Sequence, residues 1–178
     1  MPRKADTHVL PDVLQPGLIL VFCGTAAGKR SAAEKAYYAH PGNLFWRALF
    51  EAGITPRLFT PHDYPDLPEH GIGLTDLAKR HSGNDDELPN DAFDVPALVA
   101  KIERFAPRLL AFTSKNAARA VLGRALTGYG LQNACIGDTR LFVLPSPSGQ
   151  ARGHWTLEPW RTLAGAYDAA RAMCTQDH

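Results

Sequence analysis

Gly17-Leu18-Ile19-Leu20-Val21-Phe22-Cys23-Gly24 is a continuous apolar run closed at both ends by glycine. A run of this length without polar alternation is the pattern of a strand buried on both faces, as in a parallel sheet. A Gly/Ala stretch and a polar stretch follow it. Then comes Asn43 to Ala52, where Leu44, Phe45, Leu49 and Ala52 fall on helical spacing and Gly53 supplies a C-terminal stop. Strand, loop and helix in this order open a βαβ unit.

The theme recurs downstream. Ile72 to Thr75 reads as a second strand, followed by a polar loop from Ser82 to Asp94. Val95 to Phe105 carries helical spacing at Leu98, Val99, Ile102 and Phe105. Leu109 to Thr113 reads as a strand, Asn116 to Leu126 as a helix, and Arg140 to Leu144 as a strand entered through the turn pair Gly137-Asp138. Pro159 to Met173 reads as a closing helix with proline in its first turn. Alternation of this kind predicts a three-layer α/β/α sandwich around a short, mostly parallel sheet. No repeat or low-complexity linker divides the chain, so one domain over residues 1–178 is expected, with an extended N-terminal segment over 1–16. Functional loops then belong at the C-terminal ends of the strands. They are Gly24 to His40, Asp76 to Lys79, Ser114 to Asn116 and Pro145 to His154.

Composition narrows the function classes. Apolar residues make up 45% and charged residues 21% of the 178, which is ordinary for a globular protein. No apolar run approaches the roughly 18 residues of a membrane span, and the start lacks the features of a signal peptide, so a cytoplasmic protein is expected. Cys23, Cys135 and Cys174 are far apart and form no CxxC pair, which argues against a structural zinc site, a four-cysteine cluster or a disulfide framework. Cys23, inside the apolar run, reads as a buried inert thiol. The net charge of +1 gives no global basic signature. Lys29 and Arg30, Lys79 and Arg80, Lys115, Arg152 and Arg161 offer a local basic rim, although solvated surface explains each of them equally well.

The first loop, Gly24-Thr25-Ala26-Ala27-Gly28-Lys29, fails the phosphate-loop pattern. That pattern needs glycine at Cys23 and a hydroxyl residue at Arg30. What remains is a strand ending in small residues, where a ligand can approach the backbone, or simply a tight turn. The loop is followed by Tyr37-Tyr38-Ala39-His40-Pro41-Gly42-Asn43-Leu44-Phe45-Trp46, then by Gly71-Ile72-Gly73-Leu74-Thr75-Asp76, and finally by Leu144-Pro145-Ser146-Pro147-Ser148-Gly149-Gln150-Ala151-Arg152. These four motifs in this order resemble the uracil-DNA glycosylase superfamily, closest to its mismatch-specific uracil/thymine branch. The Tyr-Tyr-Ala-His-Pro-x-Asn-x-Phe-Trp string looks more like the hypoxanthine-type branch. The resemblance runs from about Leu18 to Trp160.

The resemblance implies a monofunctional glycosylase that flips a base from DNA and hydrolyses its N-glycosidic bond in base excision repair. Cleavage of that kind needs a shaped pocket, donors aimed at the departing base and a positioned water, without metal or organic cofactor. The implied partner is uracil-containing DNA, single- or double-stranded, bound by a monomer. Gly24, Thr25, Ala26 and Gly28 would line the pocket, Tyr38 would stack on the base, and His40 would donate into the pocket or stay structural beside Pro41. Ser146, Ser148 and Gly149 would hold phosphates, and Arg152 would meet phosphate or fill the space left by the flipped base. Trp155 reads as a packed aromatic. No lysine is placed as a Schiff-base nucleophile, so lyase activity is not expected.

Departures from the family pattern matter more than the matches. The mismatch-specific branch carries in its first loop an Asn that positions water, where this chain has Ala26. Leu144 stands where classical uracil glycosylases place a histidine. Two replacements are available. Asn43 matches the asparagine assigned importance in the hypoxanthine-type branch, and its amide can hold a water in line. Asp76 stands where relatives commonly carry an Asn that reads the base edge. As a carboxylate it accepts from the N3–H of uracil, orients water and stabilises a cationic sugar. As a bland residue it would be a helix N-cap. Three alternatives stay open: a hypoxanthine or xanthine glycosylase, a damaged-base-binding protein without turnover, and an unrelated α/β enzyme using the Gly24–Gly28 loop for a nucleotide.

Overall fold

The structure is a computed structural model and describes residues 8–176; of Arg152, His154 and Gln176 it describes the backbone. The strands are β1 (Leu20–Ala27), β2 (Ile72–Ser82), β3 (Leu109–Phe112), β4 (Gly130–Ile136) and β5 (Thr139–Val143). The helices are α1 (Lys29–Glu34), α2 (Phe45–Glu51), α3 (Val95–Phe105), α4 (Lys115–Leu122) and α5 (Glu158–Gln176). A 3₁₀ segment over Pro61–His70 precedes β2. The strands form one sheet in the order β2-β1-β3-β5-β4. All neighbours run parallel except β4 and β5, which are antiparallel.

Burial on both sides of β1 explains its unbroken apolar sequence. Leu20 and Phe22 join the core on one face of the sheet with Phe45, Leu49, Trp160 and Leu163, from α2 and α5. Val21 and Cys23 join the core on the other face with Leu98, Ile102, Ala117 and Ala118, from α3 and α4. The three-layer α/β/α sandwich with a mostly parallel sheet is therefore the architecture the sequence predicts.

Several boundaries differ from the sequence reading. β1 continues through Thr25 and Ala26 to Ala27, because these residues still pair with β2, so the first loop begins later than expected. β2 runs on to Ser82, and Asp76 to Lys79 lie inside it rather than in a loop. The helix N-cap reading of Asp76 falls with that loop. The edge strand β4 has no counterpart in the sequence reading: the polar Gln132 is buried and the apolar Leu131 exposed, so its residues show no hydrophobic alternation, and it pairs with β5. The N-terminal segment, where described, runs along the outer edge of β2. Val13 N–H and Leu74 N–H exchange bonds with each other's carbonyls, and Val9 N–H donates to the Lys79 carbonyl at 2.7 Å. A covered edge presents no free ladder for another chain.

Candidate active site at the strand ends

The strand order reverses at β1, whose neighbours are β2 on one side and β3 on the other. Such switch points open a crevice beyond the carboxyl ends of the strands. A cavity of about 700 Å³ lies there. It gathers Gly24, Thr25, Ala26 and Gly28 from β1 and its exit, Tyr38, His40 and Asn43 from the long loop before α2, and Asp76 from β2. Ser146, Ser148 and Gly149 complete the far wall. Four motifs distant in sequence thus meet at one place. The Arg152 side chain lies outside the described residues.

Gly24 and Asp76 are directly paired across β1 and β2, and the Gly24 backbone hydrogen-bonds the carboxylate. A methyl group on Gly24 would sit 2.8 Å from Asp76 Oδ1, 3.3 Å from the Tyr38 hydroxyl and 3.4 Å from Thr113 Oγ1. Glycine is required here by close approach of three polar groups. Gly28, by contrast, meets nothing within 4 Å, so its side of the cavity is open. Asp76 is 5% exposed. Burial pushes its carboxyl up to about 6, a rise opposed by the Lys79 ammonium, reinforced by Asp12, and opposed again by Lys101 and the Gly24 bond. The carboxyl therefore changes charge close to neutral pH.

Tyr38 is held in a conformation that a non-glycine residue seldom adopts, with φ +53°. Its ring stacks on Phe45 with centroids 3.9 Å apart, and its hydroxyl meets Thr113 Oγ1 at 3.3 Å. Neighbouring bonds clamp the strained turn: Ala39 N–H donates to Ser31 Oγ at 3.0 Å, and Trp46 Nε1 donates to the Tyr37 carbonyl at 3.0 Å. Burial, joined by the nearby Asp76 carboxylate, raises the Tyr38 hydroxyl well above its ordinary value and keeps it protonated.

Asn43 is committed on one side. Its Oδ1 accepts the Phe45 N–H at 2.9 Å, closing a turn at the start of α2 and leaving the NH₂ as the available donor. His40 Nδ1 accepts the Gly42 N–H at 2.9 Å, so the proton sits on Nε2. In the far wall Ser146 Oγ accepts from Ser148 N–H at 3.2 Å, and Ser148 Oγ accepts from Gln150 N–H at 3.4 Å. Each hydroxyl keeps its own proton to donate. Gly149 packs on the Gly42 carbonyl, which a methyl group would meet at 3.3 Å. Leu44 N–H donates to the Pro147 carbonyl at 2.8 Å, tying the two walls together.

Sequence reasoning misses the third wall. Asp85 accepts from Thr25 Oγ1 at 2.6 Å and from Asn116 Nδ2 at 2.8 Å, bridging the β1 end to the start of α4. Thr113 reads in the sequence as the end of a strand and not as part of the site. No residue pattern announces Asp85, since its contacts span 60 and 31 positions. The basic rim is also smaller than expected. Lys79 is buried at 9% exposure, Lys29 pairs with Glu87 at 2.8 Å, Arg30 pairs with Glu34, and Arg161 pairs with Glu158 at 2.7 Å. Lys115 is exposed over the Tyr129 ring. Trp155 packs beside Trp160, as expected for a packed aromatic. Cys23 is fully buried and burial raises its thiol, the state of an inert cysteine. Among the described residues, no three His, Cys, Asp or Glu side chains come together as a metal-binding group.

These features define a three-layer α/β protein with a strand-end crevice in which a strained tyrosine, a buried carboxylate and a serine-rich loop face one cavity. Residues 11–164 match the Uracil DNA glycosylase superfamily, and the chain belongs to it. The fold is similar to the solution NMR structure of a putative uracil DNA glycosylase from Methanosarcina acetivorans. That protein is 23% identical over 89% of this chain and 96% of its own, with a TM-score of 0.64.

Proposed function

We propose that this chain is a monofunctional DNA glycosylase that removes uracil, using Asp76 in place of the first-loop side chain that Ala26 lacks. The observation that carries this reading is the Asp76 carboxylate, buried against Gly24 in the superfamily's crevice and titrating near neutrality. A flipped nucleotide would enter the cavity with its base against the Tyr38 ring, whose other face is already occupied by Phe45.

Bond cleavage leaves positive charge on the sugar and negative charge on the base. Ionised Asp76 would stabilise the first and orient a water towards the anomeric carbon. As the C–N bond breaks, the water oxygen bonds to that carbon, its proton passes to Asp76, and the base departs with the bonding pair. The Asn43 NH₂, its oxygen already engaged, would donate to a carbonyl of the leaving base. Ser146 and Ser148 would offer their hydroxyl protons to phosphate. Lys79, the cation nearest the reacting carboxylate, is engaged by Asp12 and Tyr37 at 3.0 Å each, so no Schiff-base step is assigned to it.

The test is gel-resolved cleavage of uracil-containing single- and double-stranded oligonucleotides after alkali. Excision by the wild type and a loss of two orders of magnitude or more in Asp76→Asn, about the worth of a general base, are expected. No product at enzyme excess rejects the uracil reading. Parallel hypoxanthine, xanthine and G·T substrates report the other base specificities. Retention of uracil DNA in a mobility shift without cleavage would identify a binding protein, the reading that Ala26 favours.

A further inference from the structure

We propose that Asp12, on the N-terminal segment, and Lys79, on β2, form a charge pair that positions and tunes Asp76, making the N-terminal segment a working part of the active site. This rests on the reading of Asp76 as the reacting carboxylate.

The geometry is that of one cation shared between two carboxylates. Lys79 Nζ lies 3.0 Å from Asp12 Oδ1 and 3.9 Å from Asp76 Oδ2, and it donates to the Tyr37 hydroxyl at 3.0 Å. The Lys79 side chain is 8% exposed and that of Asp12 17%, so water screens the group weakly. Asp12 is held from every side. It accepts from Thr75 Oγ1 at 2.7 Å and pairs with Lys101 of α3 at 2.7 Å, and the Val13–Leu74 bridge fixes the adjacent backbone. The Tyr37 hydroxyl donates to the Pro11 carbonyl at 2.9 Å, which binds the same segment to the loop that carries Tyr38.

Two effects on Asp76 therefore oppose one another. Lys79 favours its ionised form, whereas Asp12 both repels that form and draws the Lys79 ammonium towards itself. Lys101, the protonated hydroxyls of Tyr37 and Tyr38, the Thr113 hydroxyl and the neutral Cys23 thiol also surround Asp76; His40, Asp85, Asp86 and Glu87 line the same cavity, and His8, His81, Asp91 and Asp94 a neighbouring hollow that Asp76 also lines. Among the described residues, Asp12 is the carboxylate with which Asp76 shares Lys79. Removing each partner must then move Asp76 in opposite directions. Packing loss alone would lower activity in both variants without separating their titrations.

The experiment follows the Asp76 carboxyl carbon by ¹³C NMR as a function of pH in the full chain, alongside the pH dependence of uracil excision. In Asp12→Asn the titration midpoint and the acid limb of the rate should move down, and in Lys79→Met both should move up, each by at least about half a pH unit. Lys79→Arg should restore a midpoint near the wild type. Lys101→Met provides a second upward shift if Lys79→Met does not fold. Midpoints that stay at the wild-type value, or move in the same direction in both variants, overturn the proposal. The carboxyl titration needs no turnover. Opposed shifts in a protein that excises nothing would retain the charge pair and reject the glycosylase reading, whereas excision with unmoved midpoints would do the reverse.

Discussion

At the scale of single residues, Asp76, the reacting group in the proposed function, would be retained against stability. Its carboxyl is raised from 3.8 to about 6 by burial, so folding favours the neutral form. The stabilising preference is fully present below the unfolded value and is lost as pH rises through about 6. Above that, the ionised carboxylate costs roughly 3 kcal/mol, because each pH unit separating the folded and unfolded midpoints is worth about 1.4 kcal/mol. Asp76→Asn keeps the shape and an acceptor for the Gly24 N–H while removing the charge. It should therefore melt several degrees above the wild type at pH 8, with the gap closing near pH 4, while excision collapses. Scanning calorimetry at the two pH values checks the sign. A variant less stable than the wild type at pH 8 would mean that the Lys79 contact outweighs the burial cost. Gly24 belongs to the same balance. With Asp76 Oδ1 2.8 Å from where its methyl would stand, Gly24→Ala should displace the carboxylate and lower excision at least tenfold, measured by single-turnover kinetics.

At the scale of elements, the link between α2 and the cavity is a single turn. Asn43 accepts the Phe45 N–H and so begins α2, and Phe45 in turn supports the Tyr38 ring. Asn43→Asp separates the two duties of the amide, since a carboxylate still accepts the N–H but has no NH₂ to donate. Its melting temperature should stay within a few degrees of the wild type, whereas excision falls more than tenfold; unchanged excision would leave Asn43 as a helix-starting residue only. The sequence makes some of this legible. The apolar run of β1, the spacing in α2, α3 and α5, and the serine-rich loop after β5 are local patterns, and each appears where the pattern puts it. The passage of β2 through Asp76 to Ser82 is not legible, because Lys79-Arg80-His81 reads as polar surface until Asp12 arrives to neutralise Lys79. Asp12, Asp85 and Thr113 share that fate. Their roles come from contacts across the fold, and a lone Asp or Thr in sequence carries no sign of its partner.

At the scale of the whole molecule, charge sets the limit on how DNA can be held. The net charge is +1, and several of the basic residues near the cavity are already paired with carboxylates. Asp85, Asp86 and Glu87 line part of the cavity itself, so one side of the mouth is acidic. A protein of this kind cannot draw much affinity from releasing counterions along a duplex. Its phosphate contacts would come instead from the neutral donors of the Ser146–Gly149 loop, which sits at a fixed place because Pro147 and Gly149 are tied to the loop before α2. Each neutralised phosphate adds about 0.9 to the salt slope for a duplex. Neutral donors neutralise no phosphate, so the logarithm of the binding constant should fall only shallowly with the logarithm of salt, at a slope no steeper than about −2. Fluorescence anisotropy on uracil-containing duplex, using Asp76→Asn to prevent turnover, measures it directly. A slope of about −6 or steeper would require the Lys29–Glu87 and Arg30–Glu34 pairs to open and turn to the DNA. In that case Glu87→Gln, which frees Lys29, should tighten binding in the wild-type background, whereas a shallow slope predicts little change.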